Sequence, residues 1–559
     1  MRMRNFGCML SSAVLAIVCQ AQAQVIVRVD LAKPQGAYKP IYSWFGYDES
    51  NYTTTKNGSQ LLGELHDLTS APVYIRAHHL LTSGNGVPEL KWSSSNVFSL
   101  DKNGKPAYDF TITDQTFDAF KKAGVRPMVE LGFMPKDLAS TVPGITEYQL
   151  HYPQPTMGGS VNNPPKDYKM WGELVHKYTE HLVQRYGREQ VSTWYFEVWN
   201  EPDIVYWHGT EADYFKLYDY AVAGVRAALP NANVGGPAST GPANAKASDF
   251  LNAFLKHCLN DKSAVDGKPI PLSFISFHPK GQPSLIDGHV RMGISNELNA
   301  VQNGFQIVAK YPQLRHVPII FSEADPEGCA GCSMKVNPAN AYRNGPLYAS
   351  YTATAMKAMV DMQDISHVNL LAMLSWSFEF EGKDYFEGFR TLATNGIDKP
   401  ILNVFRMASL LSGERVATTS TGQVPLEEIL SQGVRRAPDV DAFATKAERE
   451  AAVMLWNYHD DNVPAPDADV EVTISGIPPG VKRVLLEHYR IDETHSNAYT
   501  VWKAMGSPQS PTPEQYARLK AAGQLELLTS PQWLDVSGGK VTVSTSLPRQ
   551  ATSLMHLNW

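Results

Sequence analysis

Two glutamates, Glu201 and Glu323, each stand close behind a strongly apolar run. Glu201 follows the run 194–199 and directly precedes a proline, and Glu323 follows the run 317–321. An acid at the end of an apolar strand has apolar neighbours that can raise the pKa of one member of a pair. Two such carboxylates facing each other at roughly 5 Å can hydrolyse a glycosidic bond with retention, one as acid and base and one as nucleophile. The alternative, that each is an ordinary surface loop residue, fits an isolated Glu-Pro pair better than two strand ends.

Other polar and aromatic side chains close neighbouring apolar runs. Asn200 stands beside Glu201, where it is suited to hydrogen-bond a sugar hydroxyl, and Trp376 closes a run with an indole that could form the floor of a sugar subsite. Two further runs are closed by basic or imidazole side chains, namely Arg76, His78, His79 and His278. For each of them singly, packing inside the fold is an equally good interpretation. Together they predict a substrate-binding site.

The elements that must position these residues are short β-rich runs alternating with longer amphipathic stretches, a pattern typical of βα units. We predict eight strands, over residues 43–47, 72–78, 126–133, 193–201, 233–237, 273–278, 318–324 and 370–378. We predict helices between them over 116–123, 170–186, 212–229, 249–259, 294–310 and 347–362. This α/β pattern indicates a (β/α)₈ TIM barrel, whose catalytic groups lie at the carboxyl ends of the strands. A doubly wound open sheet is the alternative, but no Gly-x-Gly-x-x-Gly motif follows a strand.

The pattern changes after about residue 411. Alternating segments with Pro- and Gly-rich connections indicate the strands of an accessory β-sandwich domain, at residues 453–458, 469–475, 481–489 and 540–546. The segment 25–31 is expected to add a strand to that domain, and 512–522 is a helical insertion. We therefore expect a signal peptide over 1–23, an N-terminal strand within 24–40, the barrel over 41–411 and the β-sandwich over 412–559.

The N-terminus has the features of a cleavable signal peptide. Arg2 and Arg4 precede a short apolar stretch over 9–19, and Ala21-Gln22-Ala23 is a small-x-small cleavage signal. The stretch is too short to span a bilayer, which needs about 20 apolar residues, and no other segment approaches that length. We expect a periplasmic or extracellular protein with no membrane association after cleavage. A buried N-terminal helix is the alternative.

Three cysteines remain once Cys8 and Cys19 leave with the signal peptide, and two of them form the motif Cys329-Ala-Gly-Cys332. A single pair cannot complete a four-ligand zinc site. A local disulfide that stiffens a glycine-containing loop is the first interpretation, two free thiols are the second, and a metal site is the third.

Charge and composition exclude several classes of function. The 559 residues include 49 Lys and Arg against 56 Asp and Glu, a net charge of −7. Without the two arginines of the signal peptide, 47 cations face 56 anions, a net charge of −9. No block of basic residues follows, so a nucleic-acid partner is not expected. No cofactor or metal is expected either, and the sequence leaves the oligomeric state open.

The segment 194–203, Trp-Tyr-Phe-Glu-Val-Trp-Asn-Glu-Pro-Asp, closely resembles the acid/base signature of glycoside hydrolase family 39, which contains β-xylosidases and α-L-iduronidases. The resemblance covers nearly the whole mature chain and includes segments 74–79, 129–135, 489–492 and 495–499, and Trp502. It implies that Glu201 is the general acid/base and Glu323 the nucleophile. It also implies a (β/α)₈ barrel with a β-sandwich.

The sugar is harder to predict. Segments 276–281 and 323–326 resemble the iduronidase branch, in which a lysine at the position of Lys280 and an arginine near Arg390 hold a substrate carboxylate. Segment 392–400 instead resembles the xylosidase branch, and a solvated loop lysine is the alternative role for Lys280. We predict a secreted, exo-acting, retaining glycosidase of the β-xylosidase type that acts on a glycoside or oligosaccharide. The alternatives are an α-L-iduronidase-like uronidase, an α-L-arabinofuranosidase, and a non-catalytic carbohydrate-binding barrel.

Overall fold

The computed structural model describes residues 24–145, 148 and 159–559, and eight parallel strands of this part form a barrel. The strands are Trp44–Tyr47, Tyr74–Ala77, Arg126–Leu131, Tyr195–Val198, Asn233–Thr240, Ile275–His278, Pro318–Phe321 and Asn369–Met373. Each pairs with its neighbours in chain order. The backbone of Ser375, just beyond the last strand, bonds to Trp44 and Gly46 of the first at 3.1 and 3.0 Å and closes the barrel. The predicted (β/α)₈ barrel is confirmed.

Helices follow most of the strands and bury one apolar face each. The longer ones are Lys56–Asp67, Thr111–Ala123, Tyr168–Tyr186, Glu211–Ala228, Ala245–Asn260, Ile294–Ala309, Pro346–Ser366 and Pro400–Ser409. Tyr168–Tyr186 shows why they form: Asp167 caps its first turn, and Trp171, Leu174 and Tyr178 recur at helical spacing on the buried side. None of the helices in the described ranges is long and apolar enough to cross a membrane.

The interior of the barrel is layered, because every second side chain of a strand points toward the axis. Near the amino ends, Trp44, Tyr74 and Met128 belong to an apolar cluster. Two residues further along their strands, Arg76 and Glu130 have ionisable side chains and are fully buried. The polarity of the interior therefore rises toward the carboxyl ends of the strands, where the site residues lie.

The C-terminal domain is a sheet-rich sandwich that includes the N-terminal strand. Its strands are Val25–Ala37, Glu414–Ser420, Asp439–Lys446, Glu450–Tyr458, Ala468–Ser475, Arg483–Ile491, Glu526–Leu527, Gln532–Asp535, Lys540–Leu547 and Thr552–Asn558. Val25–Ala37 pairs antiparallel with Glu414–Ser420 and parallel with Ala468–Ser475. Val29, Leu455 and Val472 belong to its own apolar cluster.

One strand of this domain also packs on the barrel. Along Glu450–Tyr458, Val453 and Leu455 face the core of the domain, whereas Met454 and Trp456 belong to the hydrophobic cluster of the barrel. The alternation of the strand thus places one apolar face on each unit, and helix Pro346–Ser366 contacts it from the barrel side.

Some elements were missed by the sequence analysis, and the physical reasons are visible. Asp439–Lys446 is buried at nearly every position, so it lacks the alternation by which a half-exposed strand is identified. Lys56–Asp67 contains two glycines, which weaken a helical pattern. The predicted helical insertion is present as Pro513–Ala522. The signal peptide over 1–23 lies outside the described residues.

Candidate active site

Glu201 and Glu323 come together at the carboxyl end of the barrel. They follow the fourth and seventh barrel strands, Tyr195–Val198 and Pro318–Phe321. Carboxylate oxygens of the two residues lie within 4.8 Å of each other. This separation is that of a retaining pair, in which the second carboxylate reaches the sugar carbon directly, rather than the wider gap that leaves room for a water.

The backbone around Glu201 is strained. Glu201 has a φ of +43° and Trp199 one of +72°, in the left-handed region that side chains with a Cβ rarely adopt. The N–H of Glu201 donates to the carbonyl of Ala238 at 2.8 Å, which ties this turn to the end of the next strand. Strain of this kind persists only where surrounding bonds impose it, and it fixes the direction of the glutamate side chain.

His278 links the two carboxylates. Its Nδ1 lies 2.9 Å from Glu201 Oε1 and 3.7 Å from Glu323 Oε1. Its Nε2 lies 3.1 Å from the hydroxyl of Ser322, which orients the ring. The imidazole is almost wholly buried, so it acts on the pair from inside the barrel wall.

Glu323 is held in its charged form by the cations around it. Lys280 Nζ donates to Glu323 Oε2 at 2.8 Å, and Arg76 Nη1 donates to Glu323 Oε1 at 3.1 Å. Burial alone would raise the pKa of Glu323, but the charges of Lys280, His278 and Arg76 outweigh it and lower the pKa well below its usual value. An ionised carboxylate aimed at the cavity is the form required of a nucleophile.

Arg76 is the centre of the buried layer below the cavity. Its guanidinium contacts Glu197 Oε2 at 2.5 Å and Glu130 Oε2 at 2.8 Å, and it donates to Asn200 Oδ1 at 3.1 Å. Because that oxygen is taken by Arg76, the amide nitrogen of Asn200 is left as the donor for a ligand. Arg76 therefore holds both Glu323 and Asn200 in position.

A cavity that is open to solvent lies over this layer. It is lined by Asp48, His78, His79, Lys91, Phe133, Asn200, Glu201, Tyr206, Glu323, Gly328, Ala330 and Trp376. Trp376 rests on the guanidinium of Arg76, whose carbon lies 4.8 Å from the ring centroid. A Cβ at Gly46 would approach the indole to 2.4 Å, so this glycine gives the ring its room. An aromatic ring on the floor of a polar cavity suits the apolar face of a sugar.

His78 is neutral in this setting. Burial, assisted by the charge of Arg76, lowers its pKa to about 4. Its Nε2 lies 3.3 Å from Asp48 Oδ1, and its Nδ1 faces Glu130 at 2.5 Å. Burial raises the pKa of both Asp48 and Glu130, against the charges of neighbouring cations.

The ten predicted site residues fall into three groups. Six line the cavity, namely His78, His79, Asn200, Glu201, Glu323 and Trp376. Arg76, His278 and Arg390 are almost wholly buried beneath or behind it and reach the cavity through the residues that they contact. Lys280 lies beside the cavity, bonded to Glu323 and, at 2.6 Å, to Asp325.

Arg390 already has carboxylate partners. Its guanidinium lies 2.5 Å from Glu327 Oε1 and 3.4 Å from Asp325 Oδ2, and its Nε donates to the carbonyl of Trp376. Arg343 contacts Glu327 as well, at 2.8 Å. These buried charges balance one another within the wall behind Glu323.

Cys329 and Cys332 form a disulfide, the first of the three interpretations of that motif. The loop that it closes lies on the cavity, since Gly328 and Ala330 are among the lining residues. The Nη2 of Arg343 donates to the carbonyl of Cys329 at 2.8 Å and its Nη1 to that of Cys332 at 2.7 Å. The loop is therefore fixed from behind by a buried cation.

The sequence analysis missed Asp48, Lys91, Glu130, Glu197 and Glu327. Counting in steps of two would have found the carboxylates inside the barrel, because Met128 and Glu130 face the same side of their strand, as do Tyr195 and Glu197. Lys91 and Glu327 lie on loops, where no periodic signal exists.

The donor atoms of Glu201, His278 and Glu323 are of types that also bind metal ions and lie within 4.8 Å of one another. Lys280 and Arg76 already stand 2.8 and 3.1 Å from Glu323. A divalent cation placed here would meet two positive charges at close range. The donor set therefore fits a metal ion poorly. The same arrangement suits an ionised carboxylate that attacks a carbon atom.

A (β/α)₈ barrel with two carboxylates this close at its carboxyl end is the arrangement of a retaining glycoside hydrolase. The model of glycosyl hydrolases family 39 matches residues 65–533, and the chain belongs to that family. The protein is accordingly a glycosidase that hydrolyses O-glycosyl bonds.

Relatives of both branches resemble the chain. It is 27% identical to a β-xylosidase of Caldicellulosiruptor saccharolyticus over 461 residues, which cover 80% of this chain and 82% of the relative. It is 28% identical to the α-L-iduronidase of Homo sapiens over 417 residues, 69% of this chain and 60% of that protein. A monomeric β-xylosidase from Caulobacter crescentus has a similar fold, with a TM-score of 0.74 at 22% identity, covering 95% of this chain and 99% of that one.

Proposed function

We propose that this protein is an exo-acting, retaining glycosidase of the β-xylosidase type. The observation that carries the proposal is the approach of Glu201 and Glu323 to within 4.8 Å, with two cations on the second of them. Glu323, kept ionised by Lys280 and Arg76, attacks the anomeric carbon and forms a covalent glycosyl-enzyme.

Glu201 acts on the other bond. As the leaving oxygen departs, the proton of the Glu201 carboxyl is transferred to it, and Glu201 becomes a carboxylate. The same carboxylate then takes a proton from a water molecule, which attacks the anomeric carbon and releases Glu323. His278, 2.9 Å from Glu201, holds the side chain through this exchange.

A neutral pentoside is the substrate class that the charges favour. Both cations that could receive a uronate carboxylate, Lys280 and Arg390, already contact carboxylates of the chain. Adding a substrate carboxylate would place a further negative charge beside Glu323, Asp325 and Glu327, which disfavours its binding. The β-xylosidases among the relatives agree with this choice.

A uronide of the α-L-iduronide type is the second candidate. Its support is the presence of two cations on the same side of the nucleophile, together with the α-L-iduronidases among the relatives. An α-L-arabinofuranosidase would use the same pair of carboxylates. A non-catalytic barrel would have no need for two opposed acids.

A panel of phenyl β-xyloside, α-L-arabinofuranoside and α-L-iduronide tests the proposal. We expect the wild type to cleave the xyloside best. NMR of the product should show β-xylose as the anomer that is released first. Glu201→Gln and Glu323→Gln should each lose at least about 10³-fold in kcat on this leaving group, which requires protonation. Preference for the iduronide would overturn the choice of sugar, and activity unchanged in both variants would overturn the mechanism.

We also propose export to the periplasm or the exterior. The support is the sequence pattern over 1–23 together with a disulfide, which persists in oxidising compartments. Expression of the full chain in a bacterial host should give a processed protein whose N-terminal residue is Gln24. Recovery of unprocessed protein in the cytoplasm would contradict this.

A further inference from the structure

Lys91 is a cation of the cavity wall that the two-carboxylate mechanism does not use. It lies on the loop after the second barrel strand, Tyr74–Ala77, and it lines the cavity together with residues from other barrel loops. Its backbone has a φ of +58°, and its N–H donates to Glu49 Oε1 at 2.5 Å. A buried carboxylate thus holds the lysine in a conformation that it would not adopt by itself.

The Cys329–Cys332 loop forms a seat for this side chain. Lys91 Nζ donates to Cys329 Sγ at 2.8 Å. A Cβ on Gly331 would come within 2.5 Å of Lys91 Cε, so the glycine is what lets the lysine stem lie against the loop. Arg343 fixes the same loop from behind through the carbonyls of both cysteines. The contacts with this loop therefore determine where the ammonium of Lys91 lies.

Within the part of the chain that the structure describes, the contact with sulfur leaves most of the bonding capacity of the Lys91 ammonium unused. An ammonium has three N–H donors, and a disulfide sulfur is a weak, uncharged acceptor. Burial lowers the pKa of Lys91, and the charges of Asp48 and Glu49 act in the opposite direction. Asp48, another lining residue, follows the first barrel strand and has its Oδ1 3.3 Å from His78 Nε2. The donor Lys91 and the acceptor Asp48 thus both line the cavity, on what we call the Lys91 wall.

This wall lies across the cavity from Glu201. Asp48 follows the first strand, Trp376 the eighth, and the disulfide loop the seventh, whereas Glu201 follows the fourth. In an eight-stranded barrel the fourth and eighth strands face each other. Because the acid/base residue marks the side of the leaving group, the Lys91 wall marks the side of the terminal sugar.

We infer that Lys91 is a specificity-determining residue that, seated on the Cys329–Cys332 loop, donates hydrogen bonds to ring hydroxyls of the terminal sugar, with Asp48 as the acceptor beside it. The inference rests on the proposed function and deepens it, since it names the groups that recognise the non-reducing end.

The test uses the full enzyme, the aryl glycoside that the wild type cleaves best, and its 2-, 3- and 4-deoxy analogues. Lys91→Met should lower kcat/KM on the parent glycoside about 10- to 100-fold, the effect of one lost charged hydrogen bond. On the analogue that lacks the bound hydroxyl, wild type and variant should differ by less than about threefold, because there the variant loses no partner. Lys335→Met, an exposed lysine paired with Asp384, is the matched control and should equal the wild type.

Gly331→Ala provides a second variant that keeps the lysine but displaces its stem. It should show the same dependence on one hydroxyl, and it decides the question if Lys91→Met does not fold. A Lys91→Met enzyme within about threefold of wild type on the parent glycoside, or an equal loss on every analogue, would overturn the inference while leaving the glycosidase assignment intact. A wild type that cleaves no aryl glycoside would instead overturn the proposed function, and the inference with it.

Discussion

The carboxyl end of the barrel and the core of the C-terminal domain are built on opposite principles. Beneath the cavity, the fully buried side chains of Arg76, Glu130 and Glu197 are ionisable and contact one another. In the C-terminal domain, the cluster around Leu455 and Val472 is aliphatic. Buried charges stabilise a fold weakly or not at all, whereas apolar burial is the main stabilising contribution. The difference teaches that the barrel end is organised for chemistry and the C-terminal core for stability.

The largest expected effect is a loss of catalysis in a variant that still folds. Glu323→Ala removes the covalent step, so kcat should fall by at least about 10³-fold. Azide should then attack from the vacated face and give a glycosyl azide of inverted configuration. The products are identified by NMR. In Glu201→Ala, azide should instead give a product of retained configuration, and unchanged turnover in Glu323→Ala would contradict the assignment.

The converse change lowers the stability of the fold and leaves the chemistry intact. Leu455→Ala removes a fully buried side chain from the aliphatic cluster, which should lower the free energy of unfolding by about 2–5 kcal/mol. Denaturant unfolding of the full-length protein measures this change in stability. Well below the transition, kcat/KM should equal that of the wild type, because the site residues belong to the barrel. A loss of kcat/KM in the folded variant would mean that the two regions are coupled.

A smaller effect tests the electrostatics of the barrel end. Lys280 lowers the pKa of Glu323, so Lys280→Met should raise that pKa and move the acidic limb of kcat/KM to higher pH. The direction follows because the attacking form is the carboxylate, which is lost as the pH falls through the pKa. A pH–rate profile measures the shift, with Lys335→Met as control. An unmoved acidic limb would show that Arg76 and His278 suffice.

The smallest effect is local to the C-terminal region. Thr512 accepts from the Gln515 N–H at 3.2 Å, and the Gln515 side chain accepts from the Thr512 N–H at 2.9 Å, a reciprocal cap on helix Pro513–Ala522. Thr512→Ala should cost about 1 kcal/mol of stability and leave kcat unchanged. Calorimetry gives the first quantity and initial rates the second. Thr512→Ser, which keeps the hydroxyl, should recover most of the stability.

Periodic patterns carried most of what could be predicted. The barrel strands were visible as apolar runs between amphipathic stretches, and the two catalytic candidates were visible because two of these runs are followed by an acid. Strands such as Asp439–Lys446 were not visible, since burial on both faces removes the alternation. Arg76 was identified as a site residue, but its place beneath the cavity depends on partners far away in the chain.

The sequence by itself determined the fold class, the pair of carboxylates and the two cysteines, because each is encoded in residue types at short spacing. Only the tertiary structure decided which group each cation contacts. The contacts of Arg76 with Glu323, of Arg390 with Glu327 and of Lys91 with Cys329 join residues on different strands or loops. Their energies depend on distances of a few ångströms and on burial, and both arise only when the barrel closes.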